Sequence, residues 1–254
     1  MDAQFELMEK RAKDIIRETN IMCSKDQIGR MEMVAKKFIY RRTAVLSLFY
    51  NIEAWTNLRQ MDEDRLEVIQ GKVLKGIFGL PKSTPYWGIL SEFKILPIKL
   101  LITYRKLMLY HNMINSDNKR VSKQVIQQQE KLKHDKCWFG NTKDDAEKIG
   151  IHLKEQLVKD VTKSSWKKVV KDAVGIAFEN QINQEKTRRK LRFIGRAGVD
   201  SYITANPNVD IRKALMIRLN MTEFIGDNYG GKTLCALCVR VWTTLNMFFS
   251  AKGV

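Results

Sequence analysis

The sequence predicts an all-α protein, and three observations carry that prediction. Apolar residues recur at spacings of three and four through most of the chain, so each element can bury one stripe and leave its other side in water. No alternating stretch of useful strand length and no internal repeat interrupts the pattern. Hydrophobic residues make up 44% of the 254, enough for a real core in one large or two modest domains.

Taken in order, Met1 to Asn20 is predicted as a helix with Phe5, Met8, Ala12, Ile15 and Ile16 on one side, stopping at the polar break Cys23 to Asp26. Met31 to Phe49 is a second helix, whose apolar side widens from Met31, Val34 and Phe38 into the nearly continuous run Ala44 to Phe49. A helix apolar all round is expected to be buried, so this segment is read as central packing, with Trp55 beside it as core rather than a base-stacking platform. In the third helix Leu66, Ile69, Val73 and Ile77 share a face, Asp62 is placed to cap the start, and Gly79 and Pro81 end it. Arg65, Lys72 and Lys75 lie off that stripe, on a side suited to anions.

Between Ser83 and Pro97, two prolines and Gly88 predict an irregular crossover packed down by Tyr86, Trp87, Ile89 and Leu90. Helix returns at Lys99 to Ile114, where Leu100, Tyr104, Leu107, His111 and Ile114 share a face and Arg105 and Lys106 point elsewhere. His111 reads as a core or boundary histidine, because no Cys or second His stands at helical spacing from it. Val121 to Leu132 is a polar, glutamine-rich helix with Val125 and Ile126 inward, and Lys133 to Asp144, charged and carrying Gly140 and Asn141, is the predicted linker.

Ser165 is predicted to open a long amphipathic helix with Trp166, Val169, Val170, Ala173 and Ala177 inward. Lys163, Lys167, Lys168 and Lys171 crowd its first turns. Cations there oppose the helix dipole, at a few tenths of a kcal/mol each unless an anion relieves them. The helix runs into Lys186 to Arg196, where Lys186, Arg188, Arg189, Lys190, Arg192 and Arg196 form the densest basic run in the chain, with Phe193 inside it and no acid. Gly195 and Gly198 end that element, Ile211, Leu215 and Leu219 mark a short helix, and Asn220 to Cys238 turns glycine-rich.

The formal charge is +17, from 45 Lys and Arg against 28 Asp and Glu, and phosphate backbones are the partner such a surface suits best. The plainer alternative is a helical protein with many solvated lysines. Four cysteines, of which only Cys235 and Cys238 are close, make no disulfide framework and favour a reducing compartment. Neither a leader pattern nor an apolar run of about 18 residues stands in the sequence, so an intracellular protein without a membrane span is expected, nucleus and cytoplasm not being distinguished. No glycine-rich phosphate loop and no Gly-x-Ser-x-Gly occurs, three scattered histidines define no triad, and the one Asp-Asp pair, Asp144-Asp145, is flanked by Lys143 and Ala146 in the predicted linker. Catalysis and a small-molecule substrate are therefore not expected. Cys235-Ala236-Leu237-Cys238 has the spacing of half a zinc site, but no His or Cys follows Cys238 to complete a tetrahedral set, so the pair reads first as an inert remnant, with a weak or intermolecular metal site and a redox pair as alternatives, and no cofactor, zinc included, is expected.

Four segments standing in order bear a resemblance to a known family. YNIEAW, Tyr50 to Trp55, followed by IQGKVLKGIFGLPKSTP, Ile69 to Pro85, closely resembles the segment after the palm in reverse transcriptases of non-LTR (LINE-type) retrotransposons. FKILPIKLLITYRKLMLYHNMINSD, Phe93 to Asp117, resembles the next part of those polymerases, and NYGGKTLCALC, Asn228 to Cys238, the entry to their C-terminal Cys/His knuckle. The resemblance spans roughly Met31 to Cys238. It implies a thumb-like multi-helix bundle over 1–132, a linker over 133–144, a basic helical linker domain over 145–222, and a degenerate knuckle with an apolar tail over 223–254. It also implies contact with template-primer or element RNA.

The aromatic-x-Asp-Asp hairpin and upstream Asp that hold two metal ions in such polymerases are absent, so no catalysis by this chain itself is implied. The candidate nucleic-acid residues are Arg65, Lys72, Lys75, Lys167, Lys168, Lys186, Arg188, Arg189, Lys190, Arg192 and Arg196, each of which also has a plain reading as solvated surface. A different class of reading stays open beside this one. It is a helical interaction module whose partner is another chain, such as the missing polymerase portion, or the non-functional product of a decayed retroelement; the module predicts an exposed apolar face on Met31 to Trp55.

Overall fold

The computed structural model describes residues 2–24, 29–56, 58–117, 119–132, 137–154, 158–159 and 161–189, together with Leu215 and Leu219. Among these residues the protein is all-α, with no strand. The helices are α1 (Asp2–Ser24), α2 (Gly29–Ile39), α3 (Val45–Leu48), α4 (Gln60–Phe78), α5 (Tyr86–Phe93), α6 (Ile98–Ile114), α7 (Val121–Leu132), α8 (Trp138–Lys148) and α9 (Lys163–Arg189). The chain divides into two compact units, one of residues 1–15, 41–73 and 96–184, the other of 16–40, 74–95 and 185–254.

Helix α4 starts two residues before Asp62. Arg59 precedes the first turn, and Asp62 Oδ2 reaches back to accept the Arg59 backbone N–H at 3.2 Å and its Nε at 3.1 Å. Asp62 is thus the third-residue half of a capping box rather than the cap itself. The far end follows the sequence more closely. Gly79 adopts φ +64°, and the N–H of Leu80 returns to the Lys75 carbonyl at 2.8 Å while that of Gly79 bonds Gly76 at 3.3 Å. That pair of bonds is a Schellman turn, open to glycine because a left-handed φ carries little strain without Cβ.

The hydrogen bonds from Arg59 hold the Asp62 carboxyl below the usual carboxylate range, with its charge a smaller contribution. Because the folded carboxyl titrates below its unfolded value, its stabilisation is complete above the ordinary carboxylate range and is lost as pH falls through the depressed value. Asp62→Ala is expected to destabilise by about 1 kcal/mol at neutral pH and by progressively less below about pH 4. Urea midpoints at neutral and acid pH check this, and an equal loss at both would refute it.

In the first unit α6, α7, α8 and α9 share one core. Leu107, Tyr110 and Ile114 of α6 meet Ile126 of α7, Trp138, Phe139 and Ala146 of α8, and Trp166, Val170 and Val174 of α9. The predicted linker is therefore corrected from Trp138 onward: Cys137 Sγ caps α8 by accepting the Gly140 N–H at 3.3 Å, and Trp138 Nε1 donates to the Glu53 carbonyl at 2.7 Å. Charge and one glycine hid an amphipathic pattern of 138, 139, 142 and 146. Lys106, expected to point away, is only 5% exposed, because Asp145 Oδ2 stands 2.8 Å from its ammonium and replaces the lost water. Within α7, Ile126 is buried but Val125 is exposed.

The predicted crossover between Ser83 and Pro97 is also corrected, since its middle is helix α5. Pro85 and Pro97 stand at the positions before α5 and α6, where a missing N–H and a fixed φ do no harm, so the two prolines frame a helix instead of preventing one. In the second unit Phe93 of α5 stacks on Phe78 of α4 with centroids 3.7 Å apart. The side chain of Ile16 lies against Gly76, where an added Cβ would meet its Cδ1 at 2.6 Å.

The line of burial around residues 33–49 also differs from the predicted one. Met33, Lys36, Tyr40, Ala44 and Leu48 are buried, whereas Phe38 is 61% and Leu46 54% exposed. A π turn at Tyr40–Ala44 separates α2 from α3 and breaks the helical register on which the predicted stripe rested. Tyr50 is exposed as well, so the run Ala44 to Phe49 is not packed all round.

Candidate nucleic-acid interface

Two sets of predicted cations fall on described residues, and the structure treats them differently. On α4, Arg65 Nη1 lies 2.6 Å from Asp2 Oδ1 of α1, and its guanidinium sits 4.4 Å above the Phe5 ring. Lys72 Nζ lies 3.0 Å from Glu9 Oε1, also on α1. Lys75 Nζ donates to the Lys82 carbonyl at 2.7 Å, just beyond the turn that ends α4. All three candidates are thus engaged within the protein. Hydrogen bonds from Arg65 and Lys72, reinforced by their charges, hold the Asp2 and Glu9 carboxyls below the usual carboxylate range. Sequence reasoning missed both acids, because sixty-three positions separate each from its cation.

The second set stands at the start of α9. This helix opens at Lys163 rather than Ser165, with Thr162 as its cap: Thr162 Oγ1 accepts the Ser165 N–H at 3.3 Å. Trp166 anchors it, with Nε1 donating to the Leu107 carbonyl at 3.0 Å and the indole stacked on His111 at 5.9 Å. His111 is 3% exposed, and its Nε2 lies 2.9 Å from the Val161 carbonyl, to which it must donate since a carbonyl only accepts. It is a core histidine.

Val170 and Val174 continue the buried line from Trp166, while Val169, expected inward, is 50% exposed. This rotation places Lys163, Lys167, Lys168 and Lys171 in water, and no acid among the described residues pairs with any of them. Lys163, Lys167 and Lys171 recur every fourth residue, about 6 Å apart along the axis. Like charges at that spacing repel by about 0.2–0.5 kcal/mol per pair, and no acid stands in the first turn to offset them against the dipole. Lys163 and Lys171 therefore belong to the same row as the predicted Lys167 and Lys168.

Helix α9 continues through Lys186, Arg188 and Arg189 to its end. Lys190, Arg192 and Arg196 lie outside the described residues, as do Cys235 and Cys238. Asp145 of the Asp-Asp pair is taken up by Lys106 and by Lys148 at 3.2 Å, on α8. Among the described residues no helix is long and apolar enough to cross a membrane. No family model matches the chain, and neither a curated protein nor a solved structure matches it.

Proposed function

We propose that this chain binds the phosphate backbone of RNA or DNA through α9 and the basic run that continues it, with no chemistry of its own. The observation that carries the reading is the row Lys163, Lys167, Lys168 and Lys171, exposed and paired with no acid among the described residues, on the helix that carries Lys186, Arg188 and Arg189 at its other end. Such a row is self-repelling alone and relieved by a polyanion. The ordered motifs from Tyr50 to Cys238 support the further inference that the parent is a LINE-type reverse transcriptase, of which this is thumb and linker. In that setting the ligand is template-primer or element RNA, and the polymerase carboxylates belong to another segment.

The affinity of a labelled RNA strand and of a DNA duplex should fall linearly on a log–log plot against salt. Each phosphate contact contributes about −0.9 to the slope on duplex and about −0.7 on a single strand. Replacing Lys163, Lys167, Lys168 and Lys171 by Gln should flatten the duplex slope by up to about 3.6. An unchanged slope would move the binding surface elsewhere.

A second reading has one observation in its favour. Phe38, Leu46 and Tyr50 are large apolar side chains exposed within Met31–Trp55, as a helical interaction module awaiting another chain requires. Self-association insensitive to salt, with no nucleic-acid affinity, would favour that module.

A further inference from the structure

We infer that the first turns of α1 act as an internal competitor for phosphate, with Asp2 and Glu9 occupying the α4 cations that a nucleic acid would otherwise engage. The inference rests on the reading of the chain as phosphate-binding and concerns how much of its basic surface is available at one time.

The geometry is a register match. Asp2 and Glu9 stand seven residues apart on α1, and their partners Arg65 and Lys72 stand seven apart on α4. Two carboxylates spaced by two helical turns, about 10 Å, thus meet two cations at the same spacing. One chance surface pair is common, whereas two in register present a short row of negative charge along a row of positive charge.

Arg65 is held doubly, since its guanidinium also covers the Phe5 ring. Phe5, Met8 and Ala12 are buried, so the backbone carrying both acids is anchored by its apolar side while the acids themselves stay at the surface. Exposed as they are, the pairs are individually weak, so they occupy the cations in the absence of a polyanion and yield to a phosphate. The contrast with α9 is internal to the molecule: there the lysines meet no such acids among the described residues.

The test is anisotropy titration of a short labelled RNA strand, across a sodium chloride series, with the full chain carrying Asp2→Asn and Glu9→Gln. Freed of their partners, Arg65 and Lys72 should raise affinity about threefold to tenfold at low salt and steepen the salt slope by roughly 1.4, or about 0.7 per new contact. The control variant Asp144→Asn with Glu147→Gln makes the same charge change on α8 and should raise affinity by less than half as much. In a background of Arg65→Gln and Lys72→Gln the gain from neutralising Asp2 and Glu9 should fall to that of the α8 control.

A gain undiminished in that background, or one that the α8 control equals, overturns the proposal, because the effect is then one of net charge. No gain at all also overturns it. Binding and a salt slope left unchanged when the α9 lysines are replaced overturn the α9 reading alone, so the two failures are distinguishable. If the natural chain fails to bind but the variant lacking the α1 acids binds, the competition is confirmed in its strongest form.

Discussion

Trp166→Ala should destabilise the protein by about 3–5 kcal/mol, a large part of the roughly 5–15 kcal/mol that holds a typical domain folded. Trp166 is buried where α9 meets α6, and three contributions vanish with it. These are the buried indole surface, the stack on His111, and the donation from Nε1 to the Leu107 carbonyl at 3.0 Å. His111 would then border a cavity with only its bond to Val161 to hold it. Trp166→Phe keeps most of the surface but lacks the donor, so it should lose less, about 1–3 kcal/mol. Urea unfolding with an unchanged m-value measures both. A loss under about 1 kcal/mol for the alanine variant would mean that α9 is not seated on α6 in this way, and the lysine row would lose its fixed position too.

The second large effect has an unusual sign. Glycine inside a helix is normally a defect, and replacing it by alanine gains about 1 kcal/mol. Gly175 in α9, where an added Cβ would touch nothing within 4 Å, should behave that way.

Gly76 in α4 should do the opposite and destabilise by about 1–3 kcal/mol. Its Cβ would lie 2.8 Å from both Cγ atoms of Ile16. Those atoms hang directly on a branched Cβ whose rotamer a helix restricts, so they cannot swing aside. Combining Gly76→Ala with Ile16→Ala should cost less than the sum of the two single changes. Additivity, or a gain from Gly76→Ala alone, would sink the idea that close approach selects this glycine.

The helical class and most of the helices are legible in the linear chain, because those helices carry their own apolar stripes and stop signals. The 66, 69, 73 and 77 stripe and the Gly79 turn of α4 were readable in a window of twenty residues, and α7 ends where its polar pattern does. His111 was readable as core for the same local reason. What failed was reasoning from breakers and from charge. In the linear chain the prolines that frame α5 look like breaks and the charged stretch of α8 looks like a linker, since composition does not say which side of a proline or lysine faces a neighbour.

Only the tertiary structure decided which cations are available. Arg65, Lys72 and Lys167 look alike in sequence, each a basic residue off an apolar stripe. The first two meet carboxylates brought from sixty-three positions away, and the third meets none among the described residues. Hydrophobic periodicity is local and survives in the linear chain, whereas the field at an ammonium depends on every charge within about a Debye length, about 10 Å, and that neighbourhood exists only once the helices have packed.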